Sequence, residues 1–527
     1  MGRGAFARHA FVGCALRGCC TVARDSDIPV CVAVRRVRVA VCLARDRDAC
    51  RMGRHGDAGL GVVDAEDASM MWLIAEWRRL YRQRSAQIGL LVFGGLLCLY
   101  AVLSGARAED WRSKLRALGD ADRAAVIEAH TMASHHRPAS PEQAAGAAFH
   151  FAKSSAPHAM LALSGGLALG SSALDVLPPA VRVTVESRHT SSRHDATLAN
   201  PLLQRYGGFD LATAIALLTP LAMIALCAGI AQGAREAGTW RLTVAHGSGQ
   251  GRWIAAAIVV RAAAVWMVGA VASSFAFALD SGATLGAYTA WLVLLAVFVA
   301  WWAVACAMLN RLPGSEATAI FAGLGLWAVT TFGVPAMLGA RLDQQIPIAS
   351  RLATVVQIRN VQQHAEAQMP TLVEDWYRAH PAWTPTVPTS HKWPVTFLPR
   401  YIEQEARLRP IMAAFHETRA ARYVQAERWA WLSPALSALH VADRLAGTDA
   451  PRYARFAAAV DAHEAAWRAF FVPRVMSYRG VSSEAYGRLP AFTWDGQSSE
   501  GAWRLIWPLL GFAALGSLVL AGWRGNR

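Results

Sequence analysis

LATAIALLTPLAMIALCAGIA, residues 211–231, carries no charged side chain. A helix needs roughly 20 apolar residues to cross the hydrocarbon core of a bilayer. This stretch has that length, and a second one, 254–279, follows it closely. Between them lies AREAGTWRLTVAHGSGQGRW, 234–253, with a charged pair at Arg235 and Glu236 and a run of glycines. Two long apolar segments joined by a short polar connector read as a helical hairpin in a membrane.

The rest of the chain agrees. Of its 527 residues, 54% are hydrophobic and only 17% are charged, where a soluble domain is nearer a quarter charged. Mean hydropathy is +0.25. Segments at 86–104, 287–309, 317–340 and 505–523 join the first two, so the expected class is an all-α polytopic membrane protein with six transmembrane helices and two mainly helical insertions. A seventh stretch, PHAMLALSGGLALGSSALDVLPP at 157–179, is less densely apolar and reads as a re-entrant or surface segment. The net charge of +15 is almost wholly arginine. Those arginines flank apolar spans and are not interleaved with aromatics in a polar groove, which argues against nucleic acid as a partner.

Arginine in short flanks sets orientation. Arg78, Arg79, Arg82 and Arg84 precede the first span. Arg235, Arg241 and Arg252 lie between the second and third, Arg311 between the fourth and fifth, and Arg524 and Arg527 after the sixth. With six spans all these flanks fall on one side, the cytoplasmic one. The long polar regions 105–208 and 341–504 then lie outside. Neither contains a cysteine, so neither can be closed by a disulfide of its own.

Residues 70–104 read as an amphipathic helix feeding the first span, with Leu73, Trp77 and Leu80 on one face and Glu76, Arg79 and Gln83 elsewhere. Residues 209–340 hold spans two to five and the connector 232–252. Residues 505–527 hold the sixth span and a tail. Residues 1–69 have many arginines, six of the nine cysteines and no sustained apolar period. They are left unassigned: a transit- or signal-like leader, or a disordered or mis-annotated extension ahead of a natural translation start at Met70 or Met71.

The larger outer region has helical spacing: Tyr453, Phe456, Val460, His463, Trp467 and Phe470 recur on one face, bracketed by Pro451 and Pro473. A preceding helix is expected to break at Pro410. Ser433–Pro434 should start a third, ended by Gly447. The aromatic stripe reads as core.

Motifs for chemistry fall short. Lys153–Ser154 lacks the glycine that a phosphate loop needs just before its lysine. His416 and His463 each open half of a zinc-protease helix, but Ala420 and Trp467 stand where the second histidine must be. His130, His135, His136, His150 and His158 gather in the first outer region, where they read as solvated loop histidines, with metal binding as the alternative. No catalytic residues, metal or cofactor are expected, and the chain is not expected to be an enzyme.

AREAGTWRLTVAHGSGQGRWIAAAIVVRA resembles the segment between the second and third spans of ABC-2 type transporter permeases, through Glu236, Gly238, Thr239, Arg241 and Leu242. It departs at His246–Gly247–Ser248, where a proline is common. LALGSSALDVLPPAVRV, NPLLQRYGGFDLA and LSPALSALHVADRLAGTD resemble a subfamily with large extracytoplasmic loops, known only as a domain of unknown function, across roughly 71–527. The resemblance implies a permease subunit in the bacterial inner membrane, multi-pass and working in export. A separate ABC ATP-binding subunit would grip Arg235, Glu236, Gly238, Thr239 and Arg241. A homodimer or a heterodimer with a second permease would form the pathway, with membrane lipid around it. Glu236 near a helix start suits the helix dipole, and Gly238 would permit close approach. Asp210 and Pro220, at and within the second span, are candidate pathway residues. The alternatives are a polytopic membrane enzyme or an extracytoplasmic sensor or anchor, acting through the outer loops.

Overall fold

The computed structural model describes residues 65–135, 138–187, 209–241, 250–386, 393–494, 496 and 506–522. Most of the expected 1–69 extension and the tail after 522 lie outside the described residues. The described chain is helical apart from one two-stranded antiparallel sheet.

α1 (Ala65–Arg82) leads into α2 (Arg84–His135), a single helix of 52 residues. At about 1.5 Å per residue it is about 78 Å long, more than twice a bilayer core of about 30 Å. The sequence reading ended the first span at 104 and began a loop at 105. Instead the helix continues through the polar residues, because nothing between Ser104 and Arg112 breaks it and Arg112 and Glu109 find partners on another element. In α1, Leu80 departs from the face expected for it. Leu73, Ile74, Trp77 and Tyr81 are exposed, while Glu76 and Leu80 are buried against the protein.

After α3 (Pro141–Ser154), capped by Ser140, comes the candidate seventh segment. It does not span. β1 (His158–Met160) and β2 (Ala180–Arg182) pair antiparallel, His158 opposite Arg182. Between them two short 3-10 turns, Leu167–Leu169 and Ser171–Asp175, bury Leu167, Ala168, Leu169 and Leu174. Their glycines, serines and prolines favour turns over a long helix.

α4 (Leu211–Cys227) and α5 (Ile230–Glu236) form the second apolar element, followed by α6 (Gln250–Leu279) and α7 (Leu285–Leu309). α8 (Glu316–Ala328) runs through a π turn, Val329–Gly333, into α9 (Val334–Gln345). Pro335 has no N–H to donate back, and a wider turn absorbs the missing bond. Among the described residues, five helices are long and apolar enough to cross a membrane: Arg84–His135, Leu211–Glu236, Gly251–Leu279, Leu285–Leu309 and Glu316–Gln345. Such a set makes a multi-pass membrane protein. The expected sixth span is the final helix, described over 17 residues, about 26 Å at 1.5 Å per residue and shorter than the other five.

The outer region supplies α10 (Arg351–Ala367), α11 (Met369–Ala379), α12 (Leu398–Trp429), α13 (Pro434–Ala446), α14 (Ala450–Met476) and α15 (Ser483–Tyr486), before α16 (Ile506–Gly522). Pro410 sits inside α12 and Pro473 inside α14 without ending either helix. Proline's φ is helical, so the loss is one hydrogen bond and a local clash, and the packing of α12 on α14 holds both helices together. α13 matches its expected limits: the Ser433 side chain accepts from Leu436 N–H, Pro434 is the first helical residue, and Gly447 follows the end.

Two cores result. One joins α2, α4, α6, α7 and α16 and extends into Leu167–Leu169 and into Ala438, Val441 and Ala442 of α13. The other joins α3, β1, β2 and α14, with Phe456, Val460, Trp467 and Phe471 fully buried. The aromatic stripe of α14 is therefore core. α13 belongs to the outer region in sequence, yet packs on α4 and α7.

Candidate functional site

The connector after span two is described to Arg241, and 242–249 lie outside the described residues. α4 ends at Cys227, and Gly229, at φ +79°, turns the chain into α5. That conformation costs a side-chain-bearing residue heavily. A Cβ on Gly229 would also lie 2.7 Å from Glu316 Cγ, and one on Gly233 2.6 Å from Glu316 Oε2. α5 therefore seats directly against the start of α8. Polar bonds fix its other side. Gln232 Nε2 donates to Leu309 O at 3.1 Å and Leu312 O at 2.9 Å. Asn310 Oδ1 accepts from Ala231 N, and its Nδ2 donates to Cys227 O and Cys306 O.

Arg235, Glu236, Gly238, Thr239 and Arg241 are all exposed. Glu236 is the last residue of α5 and not near the start of a helix of its own. Its carboxylate serves the next apolar element instead: Oε1 accepts the Glu316 N–H at 2.9 Å, at the first residue of α8. The expected dipole interaction exists, but with a helix that begins 80 residues later. Gly238 has φ +68° and open space within 4 Å of an added Cβ. Its glycine serves the left-handed turn and not close approach within the chain. Thr239 Oγ1 donates to Ala234 O, and the Arg235 guanidinium stands 4.7 Å over the Trp240 ring. Trp240 meets Trp253 edge to face at 6.4 Å. The Trp253 indole N–H donates to Glu76 Oε1 at 2.9 Å, and Arg261 and Arg79 reach the same carboxylate at 3.4 and 3.5 Å. Thus Glu76 joins α1 to α6 through polar bonds, and the connector meets this network through the Trp240–Trp253 ring contact.

Gln232, Asn310, Glu316 and Arg261 were not singled out from sequence, and Glu76 was named only as a polar position of α1. Arg261 carried a signal, being a charge inside an apolar span, where such groups are costly and pair with something. Its partner Glu76 could not be read from the chain.

Of the other candidates, Asp210 lies at the opposite end of the second span and Pro220 within it. Asp210 is buried and directly precedes α4. It does not cap that helix, whose Leu211 N–H goes to Ser104 Oγ at 3.2 Å. The Asp210 carboxylate accepts from the Ser172 N–H at 3.1 and 3.2 Å and closely from its hydroxyl, and Arg107 lies 3.5 Å away. It therefore fastens the 171–175 turn to α2 and α4. Pro220 is buried inside α4. The two sit at different depths and do not form a joint constellation. Beside them, burial pushes the Asp443 carboxyl of α13 up to about 7, with Asp449 and Asp210 adding repulsion. Arg112 holds Asp280 through two guanidinium nitrogens and also donates to Ser164 O at 2.6 Å.

The outer histidines do not converge on a metal geometry. His158 pairs with Asp122 at 2.9 Å, His130 with Ser483 at 3.3 Å, and His150 and His135 are exposed. His136 lies outside the described residues. Among the described residues, carboxyl oxygens of Glu405, Asp461 and Glu464 come within 4.8 Å of one another. Arg468 stands 3.6 Å from Glu405 and 3.5 Å from Glu464, so the group is an ion-pair network with its own cation.

Residues 351–495 match a domain of unknown function, DUF3526. The match covers the outer helices α10 to α15 and stops short of the spans. No curated protein and no solved structure matches the chain.

Proposed function

We propose that this chain is an integral membrane permease subunit of an ABC transporter of the ABC-2 type, working in export, with ATP hydrolysed by a separate ATP-binding polypeptide. In this reading it lies in a bacterial inner membrane, pairs with a second copy or a related permease, and is not itself an enzyme. The exposed platform Arg235–Arg241 is the surface that the ATP-binding subunit grips.

The observation that carries the reading is the seat of α5. A surface that transmits a push must be accessible and stiff, and it must be tied to more than one span. The platform is exposed. Gln232 and Asn310 tie it to the end of α7, and Glu236 ties it to the start of α8. A displacement there reaches three spans without crossing a flexible linker. Gly238 and Thr239, which match the family pattern, shape the turn that presents it.

Gentle purification of the tagged full chain from its native membrane tests this. An ATP-binding polypeptide should copurify, and Glu236→Arg or removal of 237–241 should lose it while the chain still folds. Absence of any ATPase from the wild-type preparation counts against the proposal.

A further inference from the structure

The turn at Gly229 has a second consequence. It seats α5 against Glu316, and Ile230, Gly233 and Ala234 of α5 wall one end of a gap between α2 and α4. The gap is a trench of about 720 Å³, within the range of about 300–1,000 Å³ typical of ligand cavities. Val92, Phe93 and Leu96 of α2 face Leu218, Leu221 and Leu226 of α4 across it. Over 85–96 the α2 wall is about 16 Å long at 1.5 Å per residue.

The mouth is polar. Arg79, Gln83 and Arg261 line it, with Glu316 at the α8 edge. Arg79 and Arg261 share the one carboxylate of Glu76, and Glu316 supplies a second carboxylate across the opening, so the charged groups there sum to zero but are separated into an arginine side and a glutamate side. Next to the mouth, α1 exposes Leu73, Ile74, Trp77 and Tyr81. Amphipathic rings of this kind settle at the headgroup level of a bilayer. An opening with arginines on one side and a carboxylate on the other, over an apolar trench within the spans, is the shape and charge pattern that a headgroup with a phosphate and one acyl chain would fit.

We propose that the trench binds one phospholipid from the leaflet in which α1 lies, its phosphate against Arg79 and Arg261 and one acyl chain between α2 and α4. Glu316 opposes a second negative charge beside the phosphate, so a headgroup with a single phosphate diester fits. The proposal needs α2 and α4 to be membrane-embedded and does not depend on the transport reading.

The test uses the purified full chain in nanodiscs containing phosphatidylethanolamine with a photoactivatable group in one acyl chain. Adducts should concentrate on peptides from 85–96 and 218–226, at about one per chain. Ala225→Trp, which fills the trench from α4, should reduce them by tenfold or more, and Arg79→Gln by a few fold. Gly89→Phe, on the α2 wall where an added Cβ meets nothing within 4 Å, is the second filling variant if the first does not fold. Two results overturn the proposal. One is labelling spread evenly over exposed span positions such as Leu279 and Phe321 and unchanged by either filling variant. The other is copy-to-copy crosslinking from a photoreactive residue at 225, which would make a second copy the occupant.

Discussion

The carboxylate of Glu236 accepts the backbone N–H of Glu316 at 2.9 Å, joining the exposed end of α5 to the first turn of α8. This one bond links the surface proposed to meet the ATP-binding subunit with the fifth apolar element. Glutamine keeps an acceptor in place and alanine does not. Glu236→Gln should therefore retain most ATP-driven transport, and Glu236→Ala should lose much of it. A coupling loss of about 1–3 kcal/mol corresponds to roughly 5–150-fold. Since the bond is exposed, thermal stability should fall little in either variant. Transport in reconstituted vesicles beside a thermal melt separates the two effects, and equal transport in both variants would contradict the role.

Arg112 and Asp280 form an enclosed ion pair between α2 and the turn joining α6 to α7, with side-chain exposures of 11% and 0%. Removing one partner leaves a buried charge, at a cost of about 3–5 kcal/mol, whereas replacing both with apolar residues is often neutral. Arg112→Met and Asp280→Leu should each lower the thermal midpoint strongly. The double variant should recover most of the loss. Additive losses would mean that the pair itself contributes little.

Glu76 binds α1 to α6 through Arg261 and Trp253. Glu76→Leu should release α1, seen as faster proteolysis between α1 and α2, with α2 and α6 intact. Pairing it with Arg261→Leu should slow cleavage again, because the stranded cation is gone. If Glu76→Leu leaves the cleavage rate unchanged, α1 is held by its apolar contacts alone.

Asp443 makes stability depend on pH. Its folded-state value of about 7 lies above the ordinary carboxyl value of about 4 in an unfolded chain. The folded state then holds the proton through the interval between them, so stability falls as pH rises from about 4 to about 7 and levels off above. Wild-type protein should melt lower at about pH 8 than at about pH 5, and Asp443→Asn should flatten that slope. The same slope in both proteins would place its cause elsewhere.

Hydropathy found the long apolar helices because a bilayer demands a length that composition reveals. The limits of α13 were readable for a similar reason: Ser433, Pro434 and Gly447 act on their own backbone. Pro410 and Pro473 misled, since whether a proline ends a helix depends on what packs around it. α2 ran past its expected end because Arg112 had a partner in Asp280, far along the chain. The site shows the same division. The exposure of Arg235–Arg241 followed from their polarity, and the turn at Gly238 from its glycine. The Glu236 contact with Glu316 and the Glu76 contact with Arg261 exist only after folding has brought distant segments together.

The central claim is that the Arg235–Arg241 platform faces the compartment that holds ATP. Labelling of Thr239→Cys with a membrane-impermeant maleimide, against the wild-type background and beside Glu484→Cys in the outer helices, tests it most directly. In intact cells Glu484→Cys should react and Thr239→Cys should not, reacting only once the membrane is opened. Labelling of Thr239→Cys in sealed, intact cells would contradict the account.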